Sequence, residues 1–348
     1  SRTPGSTRGS VLTEISGHKV ISPDPESEPP YSGMDIVETE GLAKDSLSPR
    51  QMARRRYFKH TGALMATILM SMMVLFVLLS PITARYGVNE AIFKAEAGRP
   101  NSYLSPRSEA WFGTDDIGRD IYSRMIFGLR VSLIIGISAA IFATIVGVTV
   151  GSIAGLRGGR FDDLLMRVTD IFLAFPFLVA LLVVRNFLGE LDFLTPIVGE
   201  RTSIRFIILL FVIFGWMGVA RLVRGSVLAL KEREFVEAAR ALGASNFRIV
   251  FRHLLPNSIG PILVALTNTV VAAIIGEATL SFFGFGPDAG SGDTSLGLLV
   301  SAAKGGVTAG FWWMVVFPCT LLVLVALCIN FIGDGLRDAT DPKLVHGG

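Results

Sequence analysis

Two acidic residues, Asp170 and Glu277, lie within or beside long apolar segments of this 348-residue sequence. A charged side chain in the hydrocarbon core of a membrane is costly unless it faces water or a partner, so either residue could line a polar pathway. Asp170 follows Arg167 by one helical turn, which favours an ion pair at the membrane interface. Glu277 has no obvious partner in its own segment. A contact across helices, or with a second subunit, is therefore weighed equally against pathway lining.

Other residue patterns that carry out chemistry do not occur in the sequence. The histidines, at positions 18, 60, 253 and 346, are scattered and form no metal-ligand pair. A membrane-embedded hydrolase would need a base near its nucleophile, and no histidine lies in an apolar segment. A secondary transporter would need several coupling-ion groups, and Glu277 is the one deep carboxylate. We therefore predict no catalytic residue, no metal site and no cofactor bound by this chain.

The most informative polar stretch covers residues 233–247, where a helix, a glycine turn and a second helix are predicted. Gly243 can adopt the left-handed conformation that ends the first helix, and Ser245 or Asn246 can cap a second helix, which Pro256 closes. The alanines would let a partner approach closely, but short amphipathic helices also lie on lipid, so both interpretations stay open. The first helix has an apolar face made of Phe235, Ala238, Ala239 and Leu242.

Composition places the chain in the membrane class, with 51% apolar residues, 18% charged residues and a mean hydropathy of +0.55. The basic residues fall mainly between apolar runs, which argues against nucleic-acid binding. A membrane-spanning helix needs roughly 20 mainly apolar residues. Runs of this kind predict an all-α polytopic protein with six transmembrane helices, at 62–82, 131–156, 164–184, 203–223, 259–283 and 311–332.

Basic residues also predict the orientation, because cytoplasmic loops retain positive charge. Arg54, Arg55, Arg56 and Lys59 immediately precede the first span, which places the N-terminus inside. The two short loops predicted inside, counted with the adjoining ends of their spans, contain ten basic residues, and the two predicted outside, counted in the same way, contain four. Six spans return the C-terminus to the same side, so we predict a multi-pass protein with both termini in the cytoplasm.

The predicted organisation follows from these spans. Residues 1–53 are polar and rich in Ser, Glu and Pro, as is typical of a disordered cytoplasmic tail. Residues 54–130 contain the first span, an outer loop and an amphipathic helix. Residues 131–338 contain the other five spans and a cytoplasmic loop at 224–257, and residues 339–348 form a C-terminal tail.

Local packing features are predicted in the second and third spans. Gly147, Gly151 and Gly155 recur every four residues and form a smooth stripe along one helix face. We expect this stripe to pack within the subunit, with a subunit interface as the alternative. Pro176 should kink the third span, because proline removes a backbone hydrogen-bond donor.

An amphipathic helix is predicted just before the second span, after residues 111–120. Its apolar face and its polar face indicate a helix that lies at the membrane surface. The apolar face comprises Ile121, Tyr122, Met125, Ile126 and Leu129, and the polar face comprises Asp120, Ser123, Arg124 and Arg130.

The polar stretch also resembles a known signature. Glu237-Ala238-Ala239, Gly243 and Leu255-Pro256 are similar to the E-A-A, G and L-P residues of binding-protein-dependent ABC permeases. His253 replaces the family's usual isoleucine, a departure that resembles the peptide-permease branch. The likeness to C-type subunits of dipeptide and oligopeptide permeases runs over residues 54–343. Within this range, the stretches that resemble those subunits are 113–124, 174–176, 280–286 and 333–338.

This resemblance implies a MetI-like permease fold and the permease role in an ATP-driven importer of peptides. It implies that the 224–257 loop docks on an ATPase through Phe235, Glu237, Ala238, Ala239, Leu242 and Gly243. The implied partners are a homologous second permease, two ATPase subunits or domains that hold ATP and Mg²⁺, an extracytoplasmic binding protein and the lipid bilayer. The sequence agrees on one point, since no G-x-x-x-x-G-K-[ST] loop for nucleotide phosphates occurs in it.

Overall fold

The computed structural model describes residues 49–92, 103–191, 193–287 and 294–340. Most of the predicted tails at 1–53 and 339–348 lies outside the described residues, while 49–53 and 339–340 already belong to helices. Helices of eight or more residues within the described ranges are α1 (Pro49–Lys59), α2 (Thr61–Leu78), α3 (Ile121–Arg157), α4 (Gly159–Ala174), α5 (Phe177–Gly189), α6 (Ile204–Leu230), α7 (Glu234–Ala241), α8 (Ile259–Phe282), α9 (Leu296–Thr308) and α10 (Trp313–Thr340).

Helix length and composition support the predicted number of spans. The helices α2, α3, α6, α8 and α10 are each long and apolar enough to cross a membrane. The pair α4 and α5 also qualifies when counted together, which gives six. The all-α polytopic fold is thereby confirmed.

The third span is broken rather than kinked. The helices α4 and α5 meet at an angle of 98°. Phe175 between them has extended backbone angles, with φ −80° and ψ 141°, and Pro176 precedes the first residue of α5. Proline favours an extended conformation in the residue before it, so the α4 helix ends there. The interruption lies at Pro176, where a kink was predicted, but the two helices are separate.

The amphipathic surface helix predicted before the second span is wrong. Ile121 begins α3, which continues without interruption for 37 residues, so no separate helix precedes the span. The expected polar face is largely buried, with Asp120, Ser123 and Arg124 only 1%, 0% and 3% exposed. Arg130 is the exposed exception.

The loop between α2 and α3, which the charge distribution predicts to be the outer loop, explains why that polar face is buried. Asp115 lies in this loop and forms ion pairs with Arg124 on α3 and with Arg119, the latter at 2.7 Å between Nε and Oδ2. Asp120 caps α3 by accepting from the Ser123 N–H at 2.9 Å. The Ser123 hydroxyl in turn accepts the backbone N–H of Arg85 at 3.1 Å. These polar residues therefore bind one another and the loop instead of water.

Sequence patterns gave no indication of α9. This helix has 13 residues, which is too short to cross a membrane, and it packs between α8 and α10. Its N-terminus is capped by Ser295, whose hydroxyl accepts from the Leu298 N–H at 3.1 Å. The helix therefore fills space between two spans on the side where α8 ends and α10 begins.

The glycine stripe brings α3 against α6 of the same chain. A Cβ atom added to Gly151 would lie 2.4 Å from the carbonyl oxygen of Ala220, and one added to Gly147 would lie 2.6 Å from the Cβ of Val219. Gly155 meets Val227 in the same way, at 2.8 Å. Because no real side chain fits at such distances, the backbones of the two helices are in direct contact.

A substitution in this contact should destabilise the chain. Gly151→Ala would force α3 and α6 apart, and we expect a loss of about 1–3 kcal/mol, the usual cost of overpacking. Thermal unfolding of the chain in detergent would measure it. Gly225→Ala on α6 is the matched control, since no atom lies within 4 Å of its added Cβ. Equal unfolding temperatures for both variants would contradict the close contact.

Candidate functional site

The loop between α6 and α8 contains the predicted helix, glycine turn and second helix, which are confirmed. The first helix is α7, and Gly243 follows it with a φ of +77°. Ser245 caps the second helix, Asn246–Ile249, by accepting from the Arg248 N–H at 3.3 Å. Left-handed φ values favour glycine, so the turn depends on this residue type.

The end of the loop differs from the prediction. After the second helix the chain forms one π-helical turn, Val250–Leu254, and a short helix, Leu255–Asn257, before Ser258 and α8. Pro256 does not close the second helix. It lies in the first turn of the short helix, where a missing N–H breaks no hydrogen bond.

One face of this loop is anchored to the membrane-spanning helices. Val236 on α7 is fully buried, as are Ile249 and Leu254 farther along the loop. They pack in one cluster with Val223 and Val227, near the end of α6. The sequence analysis missed Val236, although its offset from the other apolar residues of α7 was a signal that α7 has a second apolar face.

The other face of the loop is exposed and partly apolar. Leu242 is 89% exposed, Phe247 72% and Phe235 41%. Glu237 and Ala238 are also exposed, and Ala239 is half-buried. Contiguous exposed apolar residues on a rigid element are typical of an interaction site, and Glu237 in the first turn of α7 adds an acidic group to it. We call this surface, made of Phe235, Glu237, Ala238, Ala239, Leu242 and Gly243, the docking face.

Asp170 forms an ion pair on α4, but its partner is Arg221 on α6 and not Arg167, as the spacing had suggested. Both side chains are exposed, by 60% and 53%. A second pair joins the same two helices closer to the loop between α6 and α8. Arg224 donates to both oxygens of Asp162, at 2.5 and 2.7 Å, and the Asp162 side chain is only 7% exposed.

Glu277 on α8 is completely buried and is bound by serines from three elements. Its Oε1 accepts the hydroxyls of Ser281, at 2.7 Å, and Ser295, at 2.6 Å, and its Oε2 accepts Ser132, at 3.0 Å. Ser132 also accepts the Leu296 N–H at 3.1 Å, so the carboxylate holds α3, α8 and the start of α9 together. Contacts across helices of this chain therefore surround Glu277 in the structure, and Ser281 is a partner in its own helix that the sequence analysis overlooked.

These features define a class of protein before any comparison is made. The described residues contain no group of three or more His, Cys, Asp or Glu side chains that could hold a metal ion. Instead they contain up to six spans, an anchored loop with an exposed docking face, and ion pairs between spanning helices. This architecture is that of a polytopic membrane protein with an exposed surface on one of its loops.

Comparison with known proteins identifies the family. Residues 147–346 match the family described as "binding-protein-dependent transport system inner membrane component", and the chain belongs to this family. Residues 48–106 match the N-terminal transmembrane domain of oligopeptide transport permease C. As a member of this family the chain is a membrane component and not an enzyme, in agreement with the resemblance noted in its sequence.

Individual relatives agree with the family. The chain is 38% identical over 307 residues to the oligopeptide transport system permease protein OppC of Bacillus subtilis, covering 88% of this chain and 94% of the relative. It is 34% identical, also over 307 residues, to the dipeptide transport system permease protein DppC of the same organism, covering 88% and 90%.

A solved structure supports the fold. An inward-facing form of the MetNI methionine ABC transporter contains a chain that matches with a TM-score of 0.52 and 21% identity, covering 62% of this chain and 96% of that one. The likeness confirms the predicted MetI-like permease fold.

Removal of the buried carboxylate should destabilise the chain. Glu277→Leu leaves three buried serine hydroxyls without their acceptor, and each unsatisfied group costs about 1–3 kcal/mol. We expect a clear fall in the unfolding temperature of the chain in detergent, and a smaller one for Glu277→Gln, which keeps one acceptor oxygen. Glu190→Leu, at an exposed residue, is the control and should change little. An unchanged Glu277→Leu protein would show that the serine network contributes nothing.

Proposed function

We propose that this chain is one of two homologous permease subunits of an ATP-driven importer that moves peptides across the cytoplasmic membrane. The observation that carries the proposal is the anchored loop with its exposed docking face. Peptide transport is supported by the relatives, which are dipeptide and oligopeptide permeases by name. The other proposed partners are two ATPase subunits, which bind ATP and Mg²⁺, and an extracytoplasmic binding protein that delivers the peptide.

In this proposal the docking face binds the ATPase, and the buried face transmits its movement. Val236, Ile249 and Leu254 share one buried cluster with Val223 and Val227 of α6, so we expect a displacement of the loop to displace the inner end of a spanning helix. No atom of the chain lies within 4 Å of a Cβ added to Gly243. A groove of the partner therefore has space at this point of the docking face.

Transport then proceeds by alternating access. ATP binding closes the two ATPases, the loops move with them, and the spans change from an inward-facing to an outward-facing arrangement. ATP can drive this change only because it binds the closed state more tightly, so the permease needs two conformations of similar energy. Hydrolysis returns the complex to the inward-facing state.

Orientation is the first expectation that this proposal makes. With both termini in the cytoplasm, the loop at Glu190 faces outward and Glu237 faces the cytoplasm, as the distribution of basic residues favours. Single cysteines at these positions, in a Cys319→Ser/Cys328→Ser background, can be labelled in intact cells. An impermeant reagent should label Glu190→Cys and leave Glu237→Cys unlabelled. The reverse pattern would contradict the orientation.

Coupling is the second expectation. Gly243→Asp adds about 1 kcal/mol of backbone strain at a positive φ and places a charge on the docking face. Glu237→Lys reverses a charge on the same short helix without touching a span. In the complete transporter both variants should reach the membrane normally, lose peptide uptake, and lose the stimulation of ATP hydrolysis by the loaded binding protein.

Gly310→Asp is the matched control for this experiment. Gly310 has a φ of +83°, and no atom lies within 4 Å of its added Cβ, so the variant carries the same strain far from the docking face. It should keep uptake and stimulation. Wild-type transport by both Gly243→Asp and Glu237→Lys would overturn the docking role and favour a loop that lies on lipid.

A further inference from the structure

We infer that the cavity between α4 and α6 is a transit site for zwitterionic peptides, with Arg221 binding the peptide carboxylate and Asp170 the peptide ammonium. The inference rests on the proposed function, since it concerns the path that the peptide takes. The cavity has a volume of about 500 Å³ and is lined by Met166, Asp170, Leu173, Ala174, Arg221 and Arg224.

A charged pair is exposed on two of the spanning elements. Asp170 and Arg221 lie on α4 and α6, which both belong to membrane-spanning segments, and their side chains are 60% and 53% exposed. Exposed charges on such elements are strongly disfavoured against hydrocarbon, so they face water or another protein. The pair therefore does not face the hydrocarbon core, and a ligand in water can reach it unless another protein covers it.

The neighbouring ion pair, between Asp162 and Arg224, is less exposed than the Asp170–Arg221 pair. Asp162 and Arg224 hold each other through two hydrogen bonds, and the Asp162 side chain is only 7% exposed. That pair is enough to join α4 to α6. The Asp170–Arg221 pair adds a single contact at an exposed position, where both groups have free coordination directions for a ligand.

The two charges of the pair are complementary to the two terminal charges of a peptide. Every unblocked peptide has one ammonium and one carboxylate, whatever its sequence, and a guanidinium binds a carboxylate through two parallel hydrogen bonds. When a zwitterion enters, one ion pair is exchanged for two, so no charge is left unpaired at any stage. The walls suit varied side chains, because Met166 and Leu173 are apolar and Met166 adapts its shape readily.

Weak binding at such a site is appropriate for a transport path. A path must bind its cargo well enough for entry and loosely enough for release. Because Asp170 and Arg221 bind each other whenever the peptide leaves, the site competes with its own cargo and cannot trap it. The competing explanation for the exposed pair is that the second permease covers it in the complex.

Uptake by the complete transporter tests the site. The probes are a short unblocked peptide and its C-terminal amide, each supplied on saturated binding protein. Arg221→Gln should lower uptake of the unblocked peptide about tenfold, the effect expected for one lost charge-assisted bond. It should not lower uptake of the amide, which has no carboxylate to bind. Asp163→Asn, an exposed carboxylate on α4 outside the cavity, is the control and should transport normally.

Stimulation of ATP hydrolysis by the loaded binding protein separates this inference from the proposed function. Arg221→Gln should keep that stimulation, since the docking face is unchanged. If the wild-type complex shows no ATP-dependent peptide uptake, the proposed function fails. If it does, and Arg221→Gln either transports the unblocked peptide normally or loses both peptides equally, the transit site alone is overturned.

Chemical labelling distinguishes a water-filled path from a covered interface. In the Cys319→Ser/Cys328→Ser background, Asp170→Cys in the assembled transporter should react with a charged thiol reagent. Transported peptide should slow that reaction several-fold and leave the reaction of Asp163→Cys unchanged. An unreactive Asp170→Cys would show that the second permease covers the pair, and a reactive one that peptide does not protect would show that cargo passes elsewhere. Either result overturns the inference.

Discussion

The direct backbone contact between α3 and α6 is the interaction on which the other features of this molecule depend. Lipid tails are as apolar as leucine side chains, so spanning helices gain little by hiding apolar surface from lipid and associate through close packing and hydrogen bonds. Gly147, Gly151 and Gly155 permit that packing against the backbone and valines of α6. The contact fixes α6, and α6 carries both arginines of the ion pairs and the valines that anchor the loop between α6 and α8.

Glu277, Arg124 and the Asp170–Arg221 pair show three different arrangements of charged groups on spanning helices. Glu277 is enclosed by serine hydroxyls and is neutralised by no basic residue in the described ranges, whereas Arg124 is buried against Asp115 in the loop between α2 and α3. Asp170 and Arg221 are exposed on the surface of the chain. The first two arrangements give rigidity, because each holds several elements together. The third leaves charges available to something outside the chain.

Sequence analysis succeeded where structure is determined locally. The number of spans follows from runs of apolar residues, the loop geometry from Gly243 and Ser245, and the break in the third span from Pro176. Each of these depends on residues within a few positions of one another, and the family signature lies in one such stretch. Physical rules of short range were therefore sufficient for them.

The features that sequence analysis missed depend on residues that are distant in the chain. Ser132 and Glu277 are 145 positions apart, so no local pattern reveals their hydrogen bond. Asp170 pairs with Arg221 and not with Arg167 because α4 packs on α6, which the local sequence does not reveal. The amphipathic surface helix was mispredicted for the same reason, since Asp115 and the outer loop cover a polar face that by itself would suit water.

The anchored loop lowers the entropy that the chain must lose when a partner binds it. Segments that fold only on binding lose conformational entropy at that step, which weakens each unit of contact area. With Val236, Ile249 and Leu254 already buried, α7 and its glycine turn hold their shape before any partner arrives. A preorganised surface of this kind can use its contact energy for affinity. In the proposed importer, the ATPase therefore meets a loop that already has its folded shape, and the permease need not refold that loop when the two separate and rejoin.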